Sequence, residues 1–379
     1  MGRYDFFLKV FAVFVVGLVS LGFTIVLWPT NGKVSPPLSL AAIIRSLNNE
    51  EPIIAKELPP PPPPYIPPDI IKAIYITSTT ALLTRRMETI KKLIADTELN
   101  AVVINVNDIS KDIMSRPEFL EVVKSLNTDG IHTVARIVVF QNEPLIDARP
   151  ELALKTGGGS IWRDGGGHRW LDPSSEEVWK EILKTSEQAV AIGFRELNYD
   201  YIRFPSDGKV ASAVYPYWDK EKPRETVINS FADYLKSNLK TRHPDLILSA
   251  DIFAHTLLVK DDALIGQKFT DIVDYFDVIA PMIYPSHYRA GNFGFVNPAA
   301  HPYGVVFGTL EKGKAQLMEL KKDGVVIRPW LQDFNMGAVY SADMVKQEMK
   351  AVEDAGYESG WMLWNPRNVY TVGALANEK

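Results

Sequence analysis

In FRELNYDYIRFP, Phe194 to Pro205, the run Phe194 to Ile202 reads as a β-strand with an acid late in it. Side chains alternate along a strand, so Asn198 and Asp200 share one face while Tyr199, Tyr201 and Arg203 take the other. Pro205 cannot donate to a sheet ladder, so a central strand ends before it. LILSADIFAH, Leu246 to His255, repeats the arrangement and leaves Asp251 late in its own strand.

Six more β-branched runs surround these two: Ile71 to Thr77, Asn100 to Val106, His132 to Phe140, Phe276 to Tyr284, Val325 to Leu331 and Ser359 to Trp364. Amphipathic stretches near 85–97, 116–127, 175–192, 225–241, 311–321 and 341–355 lie between them. Strand alternating with helix is the βα cadence. Eight such strands predict a closed (β/α)8 barrel, of α/β class, over residues 69–379. The competing arrangement is an open doubly wound sheet. It requires false strands, and no Gly-x-Gly-x-x-Gly turn follows the first one. The span TLLVKDDALIGQKFTDIVDY, between the fifth and sixth strands, reads as broken helix and loop. No short internal repeat points to a solenoid.

The chain has 379 residues, 46% hydrophobic and 23% charged, which is ample for a buried core. Its formal charge of -5 argues against nucleic acid as a partner. With no cysteine, thiol nucleophiles, disulfides and thiolate metal sites are excluded. Val10 to Trp28 is nineteen residues without a charge, preceded by Arg3 and Lys9 against Asp5. That length spans a bilayer as helix, and the basic flank keeps residues 1–9 cytoplasmic. The expectation is a single-pass anchor over 10–28, with the lipid bilayer as partner and the barrel outside the cytoplasm. A cleaved signal peptide and a buried core helix are the competing readings, although WPTNGK offers no small-x-small cleavage site. Residues 29–68 read as a linker. LSLAAII (Leu38 to Ile44) could add a turn or two of helix, and the six prolines from Pro59 to Pro64 favour a stiff polyproline spacer over a docking motif.

Barrel active sites lie at the carboxyl ends of the strands. Asp200 and Asp251, on neighbouring strands, are therefore the candidate catalytic pair. Strands stand about 4.8 Å apart, which brings such carboxylates within the ~5–9 Å used for glycosidic-bond hydrolysis. One must stay protonated to assist the leaving oxygen, and the other ionised. The bland alternative pairs Asp200 with Arg203 as a structural ion pair. Asp333 is a third acid at a strand end, either holding a sugar hydroxyl or capping a loop. Tyr284, His287, Trp330, Gln332, Trp361, Trp364 and Asn365 fall at or near the ends of strands six to eight, where aromatic faces and amides suit a carbohydrate, or where tryptophan simply packs the core. The glycine-rich excursion Thr156 to Ser175 reads as a loop over the mouth, with Arg163, His168 and Trp170 reaching across it. It lacks the Gly-Lys-Ser/Thr of a nucleotide cradle. No metal-ligand spacing and no Gly-x-Ser-x-Gly elbow is present, so neither metal nor cofactor is expected.

At ARIVVF (Ala135 to Phe140), RWLDPS (Arg169 to Ser174), YDYIRFPSDG (Tyr199 to Gly208), ADIFAH (Ala250 to His255), YFDVIAPMIYPSHY (Tyr275 to Tyr288), RPWLQDF (Arg328 to Phe334) and GWMLWNPRNVY (Gly360 to Tyr370) the chain resembles a known family. These are the glycoside hydrolase-like proteins catalogued as DUF4015, similar in fold to barrel glycosidases. The resemblance runs from about Ile71 to the end of the chain. It implies a (β/α)8 barrel, with Asp200 followed by Arg203 at the family's strand-four position and Asp251 at its strand-five acid. An amylase-like enzyme would carry glutamate at the latter. Relatives often read Ile-Asp-Val-Lys-Asp in strand two, where this chain has Ile104-Asn105-Val106-Asn107-Asp108. That departure keeps open a member that binds glycans without cleaving them. The expected function is hydrolysis of a cell-envelope or exported polysaccharide. Asp200 is nucleophile or charge stabiliser and Asp251 general acid/base. Arg203, Tyr284, His287, Trp330, Gln332, Asp333, Trp364, Asn365 and Trp170 are the expected carbohydrate contacts. The alternative is a non-catalytic glycan-binding or envelope-organising barrel.

Overall fold

In β1 (Ile71–Ile76) alternate side chains take opposite sides: Ile71, Ala73 and Tyr75 pack in one small cluster, Ile74 and Ile76 in a much larger one. The small cluster fills the barrel interior. The large one lies between the sheet and its helices. Every strand that follows is parallel: β2 (Ala101–Asn105), β3 (His132–Val138), β4 (Glu196–Asp200), β5 (Ile247–Phe253), β6 (Val278–Ile283), β7 (Val326–Ile327), β8 (Trp330–Gln332) and β9 (Gly360–Trp364). β1 pairs with both β2 and β9, and β5 with both β4 and β6, so the sheet closes on itself. Closure excludes the open doubly wound sheet. The computed structural model describes residues 65–107, 112–322 and 324–377. The anchor expected over Val10 to Trp28, the prolines up to Pro64 and Asp108 lie outside them. Among the described residues no helix is long and apolar enough to cross a membrane.

The expected strand Val325 to Leu331 is two short pieces, β7 and β8, both paired with β6. Pro329 sits in the gap between them, where its missing N–H breaks the ladder. Counting the pieces as one, the barrel has eight staves.

Among the described residues six long helices wrap it: α1 (Thr84–Asp96), α2 (Pro117–Thr128), α3 (Glu176–Ala191), α4 (Arg224–Arg242), α5 (Pro302–Glu319) and α6 (Ala342–Asp354). In α1 the buried residues Met87, Ile90 and Ile94 recur at helical spacing. Helix α5 starts nine residues before the expected 311. Its glycines obscured the pattern but serve packing: a Cβ at Gly304 would lie 2.6 Å from the Phe295 ring, and one at Gly308 2.7 Å from Phe293. Between β5 and β6 only a 3-10 turn (Ala254–Leu257) and a four-residue helix (Phe269–Ile272) form, in keeping with the broken pattern there.

The barrel interior is partly polar. Glu196 accepts both its Arg328 bonds at 2.9 Å and one from Ser249 Oγ at 2.6 Å, with His132 Nε2 3.2 Å away. All four are buried. Burial alone would raise the Glu196 pKa, but Arg328 and then His132 outweigh it and leave it at about 2. This ionic layer lies two inward positions before Asp200: Glu196, Asn198 and Asp200 follow one another along β4.

Candidate active site

Three inward positions at the carboxyl ends of β3, β4 and β5 converge. Arg136 Nη2 donates to Asp200 Oδ2, and its Nε lies 4.0 Å from Asp251 Oδ2. The second Asp200 oxygen accepts the N–H of Tyr201 at 2.6 Å. Tyr201 has φ 56°, in the left-handed region that tyrosine rarely adopts, so the chain turns sharply as it leaves the strand.

Asp251 is held differently. Its Oδ1 accepts from Asn198 Nδ2 at 2.8 Å and from the Trp330 indole at 2.7 Å. Burial, and next the charge of Asp200, push its carboxyl well above the usual carboxylate range. Arg136 and the two donors oppose this without cancelling it. Arg136 stays charged despite burial, chiefly because of Asp200. Its guanidinium also lies 5.5 Å from the Tyr75 ring and 5.3 Å from that of Trp364, and these two rings stack on each other at 4.1 Å. Two acids in unequal surroundings therefore share one cation.

A cleft of about 720 Å³ opens over them. Asp200, Asp251, Arg203, Tyr284, His287, Trp330 and Trp364 all line it, joined by Arg136, Tyr201, Phe253, His255, Arg289 and Phe334. Burial, then Asp251 and Asp200, raises the Tyr284 phenol well above its ordinary range. Desolvation by neighbouring groups lowers the His287 imidazole and favours its neutral form, although the residue is exposed. Trp330 is only 1% exposed and Trp364 is half-buried.

Arg203 does not form the structural pair with Asp200 that its spacing suggested. The tight partner of Asp200 is Arg136, from the neighbouring strand. Arg203 instead packs its guanidinium against Phe253, Trp170 and Tyr201, at 4.4, 4.7 and 5.3 Å from the ring centres.

The other expected contacts lie outside the cleft lining. Trp170 is fully buried beneath Arg203 and donates to Asp164 Oδ2 at 2.8 Å. Its loop folds back on itself instead of reaching across the mouth, since Arg163 binds the Gly167 carbonyl at 2.7 Å. Gln332 is buried, accepting from Ser286 N at 3.1 Å and donating to Phe334 O at 2.9 Å. Asp333 accepts from the Thr371 N–H and hydroxyl at 2.8 and 2.6 Å, tying down the C-terminal segment. Asn365 donates to the Asp333 carbonyl. Trp361 packs on the outer face of the barrel wall, with Lys72 5.9 Å from its ring. In the departing strand-two stretch, Asn107 clamps β3 through both the N–H and the carbonyl of Val138.

Arg136 is the residue that sequence reasoning passed over, although it stands inside the quoted ARIVVF. It shares inward parity with His132 and Val134. A charge at an inward position of an apolar strand needs a partner, which was the available signal.

A family model described as "Putative glycosyl hydrolase domain", DUF4015, matches residues 73–370. Among solved structures, a hypothetical protein from Ruminiclostridium thermocellum is 29% identical, over 47% of this chain and 96% of that one, with a TM-score of 0.41. The glycoside hydrolase domain of PelA from Pseudomonas aeruginosa is 13% identical over 80% and 97%, at a TM-score of 0.46. A cycloalternan-degrading enzyme from Trueperella pyogenes is 10% identical, with 80% of this chain and 44% of that one aligned at a TM-score of 0.50, a likeness of fold. No curated protein matches the sequence.

Proposed function

The chain belongs to this glycosyl hydrolase family, and on that premise we propose that it cleaves a glycosidic bond in a cell-envelope or exported polysaccharide. The observation that carries the reading is the pair Asp200 and Asp251, facing one aromatic cleft in unequal surroundings. Asp251, buried and beside another acid, is the proton donor. Its Oδ1 already accepts two bonds from groups that can only donate there, so its proton sits on Oδ2. Transfer of that proton to the leaving oxygen returns Asp251 as a base toward water. Asp200, beside Arg136, meets the positive charge that develops at the anomeric carbon, as nucleophile or stabiliser.

A second reading draws on the same pair. A carboxylate buried against arginine also suits a barrel that binds glycans without cleaving them. Turnover separates the two. The full-length protein in detergent is incubated with envelope polysaccharides and new reducing ends are counted. Hydrolysis by wild type and a loss of at least ~10²-fold in Asp200→Asn support the enzyme. Glycan binding without new ends supports the second reading.

The Val10 to Trp28 segment is proposed to anchor the chain, with the barrel outside the cytoplasm. Protease added to intact cells should remove the barrel. Digestion only after lysis sinks that topology.

A further inference from the structure

Arg203 is 7% exposed, yet it lines the cleft three residues after Asp200. It has no carboxylate within 4.0 Å among the described residues. Its Nη1 donates to the Phe204 carbonyl at 3.0 Å and to Ser206 Oγ at 3.3 Å. Nε and Nη2 have no such bond, and neither is fully sealed from solvent, on a residue that lines the cleft. Three rings hold the guanidinium in place. The acids that act on it from further away are Asp200, Asp207 and Asp164, and Asp200 is already taken by Arg136. A guanidinium largely withdrawn from water without a close counter-charge is destabilising, and a fork with two unbonded donors matches a planar carboxylate.

The rest of the cleft leans the same way. Arg136 and Asp200 neutralise each other, and burial beside Asp200 favours the neutral form of Asp251. Desolvation by the cleft wall also lowers the imidazole of His287, although the residue is exposed. Arg289, exposed on the rim, has no ion-pair partner among the described residues. Two positive charges are left over in the cleft of a chain whose net charge is -5. We propose that the cleft binds an acidic glycan, with the carboxylate of a uronic-acid residue seated on Arg203 and a further anionic residue steered by Arg289. The inference rests on the hydrolase reading only for treating the cleft as a sugar site.

Calorimetric titration of the full-length protein in detergent tests it. The probes are oligogalacturonate, oligomannuronate and hyaluronate fragments, with neutral oligosaccharides of matching length and one sulfated oligosaccharide. At low salt, at least one carboxylated probe should bind tenfold or more above its neutral counterpart. Arg203→Gln should reduce that preference to about twofold. Arg203→Lys should keep part of it, and reports on the site even if the glutamine variant melts early. Arg289→Ala, at an exposed position, should weaken binding several-fold and flatten its salt dependence. Equal or tighter binding of neutral or sulfated probes overturns the proposal, as does a carboxylate preference that survives Arg203→Gln, or no detectable carboxylate binding at millimolar concentration. Product formation is scored separately. Cleavage of neutral glycans alone removes this inference and leaves the hydrolase, while tight acidic binding without cleavage does the reverse.

Discussion

The indole N–H of Trp330 donates to Asp251 Oδ1 at 2.7 Å, joining an aromatic side chain of the cleft to one of its two acids. Such a bond favours the ionised carboxylate, because the donor faces a full negative charge. Trp330→Phe removes it while keeping most of the ring volume. Asp251 should then hold its proton to higher pH, and the alkaline limb of kcat/KM should move upward. A bond to a charged acceptor is worth ~1.5–3 kcal/mol, on the order of one to two pH units. The pH–rate profile checks this. A lower melting temperature with an unmoved limb would reduce Trp330 to a packing residue.

The ionic layer before the site predicts a pH-dependent stability. Glu196 falls from its ordinary 4.5 to about 2 in the folded barrel, as Arg328 and His132 overcome the burial penalty. A depressed acid contributes its stability in full above the unfolded pKa and loses it as pH falls through the folded one. The loss should therefore run from about pH 4.5 down to about pH 2. Urea titrations at pH 6 and pH 3 measure it, and the difference should be smaller in Glu196→Gln. Arg328→Met leaves the buried carboxylate without its main partner and should lose ~3–5 kcal/mol at pH 6. An Arg328→Met barrel as stable as wild type would show that the layer is not a structural tie.

The barrel was legible because each strand carries its own signal, alternation followed by a helical stretch, and needs no knowledge of its neighbours. Asp200 and Asp251 were legible for the same reason, each standing where an apolar run stops. The partners were harder to see. Arg136 and Asp200 lie 64 residues apart and meet only because β3 and β4 pair with Val138 opposite Asp200. Arg203, three residues from Asp200, was the alternative partner that spacing offered, but the left-handed turn at Tyr201 carries the chain away from strand geometry. Gln332, Asp333 and Asn365 have the chemistry of sugar contacts but use it on backbone groups and, for Asp333, on the Thr371 hydroxyl as well. Sequence shows which polar groups exist, but not which are already satisfied.

Gly360 predicts how strictly the barrel must close. Its φ is +91°, and a Cβ there would lie 2.0 Å from the Ile71 carbonyl oxygen, in the register where β9 meets β1. Gly360→Ala combines left-handed strain with a clash against the backbone and should lose more than ~3 kcal/mol. Gly157→Ala, where a Cβ meets nothing within 4 Å, is the control. Comparable melting of both variants would mean that the β1–β9 seam yields more easily than its geometry implies.

The two acids should respond differently to the leaving group. On the proposed assignment, Asp200→Asn removes the charge that faces the anomeric carbon, whatever the substrate, and Asp251→Asn removes only the proton. Acid–base assistance contributes ~10²–10⁴ in rate, so on a polysaccharide both variants should be nearly inactive while remaining folded. A nitrophenyl glycoside leaves as a stable phenolate and needs little protonation. It should restore much of the rate to Asp251→Asn and far less to Asp200→Asn. The surviving Asp251→Asn activity should also lose the alkaline limb, because the group that titrates there is gone. Burial and Asp200 place that group well above an ordinary carboxylate in the native protein. Rates on both substrates, followed from acid to alkaline pH, measure all of this. Equal rescue of the two variants, or an alkaline limb that persists without Asp251, would assign the proton to another side chain of the cleft, of which Tyr284 is the first to examine.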